Sequence, residues 1–221
     1  MGKLYVFGCS FSSVFSEKLL FNVDMKRYYE FRGGNFPLTW SEILSDKLGL
    51  ELINVAQPGY DNYSIFESFC KVSDKITSED IVIIGWSHVL RFRLYSKTLN
   101  KLKSVNVWQT SKNIDLDISQ QTLDEVLVNR DNKLWKDEVY NWMKLINHLS
   151  KLVKFRLYYW SFFIEFPEFY IINNLLNLGA QYISHETNGT VEDSHFGEVG
   201  HQVQAEYFKD IILKKKSPKL I

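Results

Sequence analysis

From its N-terminus, the chain alternates short apolar runs with stretches whose apolar residues recur three or four positions apart. This is the pattern of a parallel β-sheet covered by helices. Residues 3–7 read as a first strand. A helix over 39–48 follows, opened by Thr39 and Glu42 at capping-box spacing and stopped by Gly49. Residues 51–55 read as a second strand, and a helix starting near Asn62 carries Ile65, Phe66 and Phe69 on one face. The run Ile81-Val82-Ile83-Ile84 within 80–84 suits a central strand buried on both faces, and its β-branched content favours strand over a helical turn. Val139, Trp142, Met143, Ile146 and Leu149 mark an amphipathic helix over 135–152, with a fourth strand over 155–160. Pro167 opens a helix running to 178, 181–184 gives a short fifth strand, 202–213 gives the last helix, and Lys214 to Lys216 begin a frayed tail.

Two stretches, about 16–37 and 91–131, fit this alternation poorly and are expected to be insertions. The first sets Tyr28, Tyr29, Phe31 and Phe36 beside Gly33 and Gly34. Long loops of this kind are usually functional, and it is read as part of a substrate wall. The pattern therefore predicts one α/β domain over 1–221, a three-layer α/β/α sandwich around a mainly parallel five-stranded sheet.

Composition narrows the partners. The 26 basic and 26 acidic residues cancel, which gives no electrostatic reason to expect nucleic acid or an anionic membrane surface. The 16 Phe, 12 Tyr and 6 Trp exceed what a core of this size needs, so some rings are expected in a groove. Two cysteines, Cys9 and Cys70, are too few for a disulfide framework, and neither has a partner at metal-ligand spacing. No secretory leader is visible, and no apolar run approaches the ~20 residues that span a bilayer. A reducing, cytoplasmic setting is the expectation.

In an open parallel sheet, ligands bind beyond the C-terminal ends of the strands, so the chemistry is sought there. Gly8-Cys9-Ser10-Phe11-Ser12 places a hydroxyl just after the first strand, and Asp193-Ser194-His195 precedes the last helix. A serine hydroxyl attacks well only when an imidazole accepts its proton, and a carboxylate then fixes that imidazole. Ser10 and His195 are the candidate pair. His88, His148, His185 and His201 are read as surface or core residues.

Together these segments resemble the SGNH, or GDSL-like, hydrolases. Gly8-Cys9-Ser10-Phe11-Ser12 is similar to the family's first block, Asn54-Val55-Ala56-Gln57-Pro58-Gly59 to its second, and Asp193-Ser194-His195 with Gly200-His201 to its last. The likeness covers the framework of the chain and leaves out both insertions. It implies a flavodoxin-like sheet, Ser10 as nucleophile, His195 as base and Asp193 as the orienting acid, with the Gly59 backbone N–H facing the oxyanion. It also implies ester hydrolysis without a metal or organic cofactor, on O-acetylated sugars, acyl glycans or lipid esters. The aromatic insertion favours carbohydrate.

The departures from the family pattern are specific. Cys9 replaces the usual Asp, and a thiolate nucleophile at that position is the alternative to Ser10. The third block normally offers an Asn, but the strand end here reads Gly85-Trp86-Ser87-His88. Ser87 is then one expected oxyanion donor, and Asn62 is its rival. The commoner acid spacing would select Glu192 over Asp193. Arg91 is a candidate anchor for a substrate carboxylate or glycan hydroxyl. The altered blocks also motivate a rival reading, a non-catalytic binding or structural protein on this scaffold, for example phage-associated. An acyltransferase using the same site is a third.

Overall fold

The computed structural model describes residues 2–96, 100–106, 125, 132–162 and 182–213. Four parallel strands, β1 (Lys3–Phe7), β2 (Glu51–Asn54), β3 (Ile81–Trp86) and β6 (Arg156–Ser161), form one sheet in the order β2-β1-β3-β6. Leu4 pairs with Leu52 on one side and Ile81 on the other, and Ile81 with Arg156. β1 and β3 are therefore central, which is why their sequences are almost uninterruptedly apolar.

Alternation of side chains divides the core into two faces. Leu4, Val6, Ile81 and Ile83 pack with Trp40 and Leu44 of helix α2 (Trp40–Leu48) and Phe208 and Ile212 of α6 (Glu198–Leu213). Tyr5, Phe7, Val82 and Ile84 pack with Ile65 and Phe69 of α3 (Asn62–Cys70) and Val139, Met143 and Ile146 of α4 (Asn132–Val153). The result is the expected α/β/α layering. The capping box at Thr39 and Glu42 is formed, and Gly49 ends α2 in the left-handed conformation.

Two expectations are corrected. The segment read as a fifth strand makes only a single antiparallel bridge, Tyr182 to Phe196, and then coils into the short helix α5 (Ile183–Glu186). Its backbone is drawn to the returning loop: Ile183 N–H donates to His195 C=O at 2.9 Å and Ser184 N–H to Asp193 C=O at 3.1 Å. Among the described residues the parallel sheet thus has four strands. The last helix begins at Glu198, enclosing Gly200 and His201, because burial of both outweighs the poor helix propensity of glycine.

The first insertion is a folded element, with a 3-10 turn at Glu17–Leu19 and helix α1 (Val23–Phe31). Asn22 caps α1 by accepting from Asp24 N–H and Met25 N–H. Its buried face is only Met25 and Tyr28, too short a stripe to stand out among the surrounding aromatics. The second insertion opens with an antiparallel hairpin of β4 (Arg91–Ser96) and β5 (Lys101–Asn106). The helix expected over 167–178 and the tail from Lys214 lie outside the described residues, and among the described helices none is long and apolar enough to cross a membrane.

Candidate active site

β1 delivers Ser10 to the C-terminal edge of the sheet. Immediately after the strand the chain turns, with Ser12 N–H and Ser13 N–H both donating to Cys9 C=O at 2.9 and 3.1 Å. The turn needs a glycine before it: a Cβ on Gly8 would sit 2.4 Å from Ser12 Oγ and 3.1 Å from Gly85 C=O. Cys9 is buried in the core, 3% exposed, and turned away from the role of an accessible nucleophile.

The two ends of the chain meet at Ser10. His195 Nε2 lies 2.7 Å from Ser10 Oγ, and His195 Nδ1 lies 2.5 Å from Asp193 Oδ1. With the carboxylate accepting from Nδ1–H, Nε2 is left as an acceptor and the Ser10 hydroxyl donates to it. Asp193 Oδ1 also accepts from the His195 backbone N–H at 2.7 Å. Burial alone would push the Asp193 carboxyl up, but these bonds to His195 outweigh it and hold the group below the usual carboxylate range. Glu192, the alternative acid, is exposed, and the carboxylate bonded to His195 is that of Asp193.

The imidazole is held from several directions. Its ring stacks on Phe11 at 4.6 Å between centroids, and Phe11 stacks on Phe162 at 4.0 Å. Behind the loop, Arg32, the C-cap of α1, bridges Glu186 Oε1 at 2.5 Å and Glu198 Oε2 at 2.9 Å. Tyr28 O–H donates to Glu186 Oε2 at 2.8 Å, and burial, followed by that bond, raises the phenol's pKa. The first insertion therefore clamps the segment that carries Asp193 and His195, a contact the sequence pattern did not reveal.

The other half of the site is built differently. Gly59 lies in the exposed loop after β2 with φ of +83°, a conformation that favours glycine. Asn62 and Ser87, both expected as side-chain oxyanion donors, form a buried brace. Asn62 Nδ2 donates to Ser87 C=O at 2.9 Å, and Ser87 N–H donates to Asn62 Oδ1 at 2.7 Å. Ser87 Oγ accepts from Arg91 Nη1 at 3.1 Å, and the residue is fully buried. Both side chains are thus engaged in bracing the loops after β2 and β3, and neither is exposed.

Asn54, read from the sequence only as the start of the second block, has a bracing role of its own. Its Nδ2 donates to Ser12 C=O at 2.8 Å and Ser41 Oγ at 3.0 Å, while its Oδ1 accepts from Ala56 N–H at 3.0 Å. It thereby ties the Ser10 turn to the Gly59 loop. An amide closing a strand was the available signal. Among the described residues no group of three or more His, Cys, Asp or Glu side chains is arranged to hold a metal.

No family model matches the chain, and no curated protein does. Two solved structures are similar over nearly all of it. One, described as a lipolytic protein of the G-D-S-L family from Desulfitobacterium hafniense DCB-2, is 10% identical, covering 96% of this chain and 99% of that one with a TM-score of 0.40. The other, a lipase/acylhydrolase from Enterococcus faecalis, is 13% identical, covering 100% of both chains with a TM-score of 0.34. Both likenesses are distant, and it is the chain's own geometry that speaks to its chemistry.

Proposed function

We propose that the protein is a serine esterase acting through an acyl-enzyme. One observation carries this reading: the unbroken hydrogen-bonded chain from Ser10 Oγ through the His195 ring to Asp193. Ser10 Oγ attacks the ester carbonyl while His195 Nε2 takes its proton. The tetrahedral oxyanion collapses, the alcohol leaves with that proton, and water repeats the sequence to release the acid and restore Ser10. Asp193 holds the imidazole in the tautomer that accepts at Nε2 and stabilises the imidazolium. The oxyanion is met by backbone N–H groups of Ser10 and Gly59, without help from a side chain of Ser87 or Asn62. The substrate class is an O-acylated carbohydrate or lipid, and the exposed rings of Phe21 and Phe31 in the first insertion suit a sugar face.

Burial of Ser87 favours a second reading, a scaffold that binds such a molecule and turns it over poorly, because losing an oxyanion donor costs about 10²–10³ in turnover. Assays with p-nitrophenyl acetate and a panel of O-acetylated sugars separate the two. The esterase reading expects turnover that disappears in Ser10→Ala and in His195→Ala. Saturable glycan binding with no release of acetate, unaffected by either substitution, would replace it with the binding reading.

A further inference from the structure

On the α3 and α4 side of the sheet, under the β4–β5 hairpin, lies a cavity of about 350 Å³. That volume suits a small organic molecule. Phe92, Leu102, Trp135, Val139 and Trp142 supply its apolar walls. These walls are held by their own packing: Trp142 stacks on Phe66 with centroids 5.2 Å apart, and Trp135 meets Phe92 edge-on at 5.5 Å.

Two arginines line the cavity, and their circumstances differ. Arg93 is fully engaged, with Nε 3.4 Å from Asp61, Nη2 3.0 Å from Glu67, further bonds to Ser64 Oγ, and its guanidinium 4.4 Å above the Tyr63 ring. Arg91 has only neutral partners: Nη1 donates to Tyr60 C=O at 3.2 Å and to Ser87 Oγ at 3.1 Å. Its Nε is buried with no partner, and no carboxylate among the described residues pairs with it. Two carboxylates also line the cavity: Asp61 is taken up by Arg93, and Glu138 is exposed with no bond to Arg91.

A half-buried guanidinium with a buried, unpartnered Nε and only neutral acceptors gains from an anion, most of all a carboxylate that matches its planar donors. We propose that this cavity is a binding site for an apolar organic acid, a medium-chain or aryl carboxylate. Its carboxylate rests on Arg91, and its hydrocarbon body lies against Phe92, Trp135 and Trp142. The site shares no residue with Ser10, His195 or Asp193, so it does not depend on the esterase reading. Through the Tyr60 carbonyl, however, Arg91 also touches the residue that follows Gly59.

The test is calorimetric titration of the Ser10→Ala protein with octanoate, 1-octanol and octylammonium. Octanoate is expected to bind saturably and at least about tenfold more tightly than octanol, with octylammonium weakest. Arg91→Gln should erase the preference for octanoate over octanol, and Leu102→Trp, which crowds the cavity rim, should weaken both. Should Arg91→Gln fail to fold, the octanoate-to-octanol ratio in the parent protein and in Arg91→Lys decides the question. Equal affinity for octanoate and octanol, no saturable octanoate binding, or an unchanged octanoate affinity in folded Arg91→Gln would each overturn the proposal. In the wild-type protein, competitive inhibition of p-nitrophenyl acetate turnover by octanoate, retained in Arg91→Gln, would place the acid at Ser10 and overturn the separate cavity. Binding without competition would mark a free acid as the ligand. Because binding is read in a Ser10→Ala background, absence of esterase activity leaves it measurable.

Discussion

The two halves of the candidate site are made of different material. The half around Ser10 is a chain of side chains: hydroxyl, imidazole and carboxylate, each within 2.7 Å of the next and braced by Phe11 and the Arg32 clamp. On the other half, around Gly59, the polar side chains of Asn62 and Ser87 are spent on each other's segments. On the proposed esterase reading, the Ser10 half is built from side chains and the oxyanion half from main-chain donors alone. The cost is expected in turnover more than in the ability to form an acyl-enzyme.

The largest effect that would break this contrast is loss of the nucleophile or base. Ser10→Ala and His195→Ala should each lower kcat/KM for p-nitrophenyl acetate by about 10⁴-fold or more, measured against the buffer rate. Asp193→Asn should follow at about 10³–10⁴-fold, because the imidazole loses the acceptor that fixes its tautomer. Glu192→Gln should stay within about twofold, surface changes away from any paired group being near neutral. A large loss in Glu192→Gln with a small one in Asp193→Asn would reassign the acid.

On the Gly59 side, Ser87→Ala should leave kcat within about threefold, whereas a true oxyanion donor would show about 10²–10³. Asn62→Ala is expected to act on stability, since it strands the buried N–H and C=O of Ser87, at a cost of about 1–3 kcal/mol in chemical denaturation. A kcat collapse in folded Ser87→Ala would restore that hydroxyl to the oxyanion hole and erase the contrast.

A separate effect, on stability and not on turnover, concerns the second histidine behind the Ser10 half. His201 Nδ1 accepts from Trp40 N–H at 3.2 Å, and burial, then the nearby His195, pushes the group down to about 3. The unfolded chain binds a proton near pH 6.5 that the folded chain refuses, so stability is intact above that pH and falls as pH drops toward 3. The slope in that window is about 1.4 kcal/mol per pH unit from this group. His201→Gln should flatten that part of the urea-denaturation profile, and an unchanged slope would show that His201 protonates within the fold.

The central strands, both helical faces and the Ser10, His195 and Asp193 set were legible because each rests on short-range pattern: an apolar run, helical spacing, or a motif at a strand end. What was not legible depends on pairing across the chain. Residues 183–184 look like a strand in isolation and coil because His195 and Asp193 offer them carbonyls. Helix α1 is hidden because its only buried residues are Met25 and Tyr28, and its purpose, Arg32 on Glu186 and Glu198, spans more than 150 residues. Ser87 and Asn62 stood at the right strand ends, but residue type and spacing do not report which way a side chain is already committed.

The most direct test of the central claim is reaction with an alkyl fluorophosphonate, read by intact mass and peptide mapping. The proposed serine hydrolase should gain one adduct on Ser10, lost entirely in Ser10→Ala and slowed by at least about 10³-fold in His195→Ala. No adduct on the folded protein, or an adduct that maps to Cys9 or survives Ser10→Ala, would contradict it.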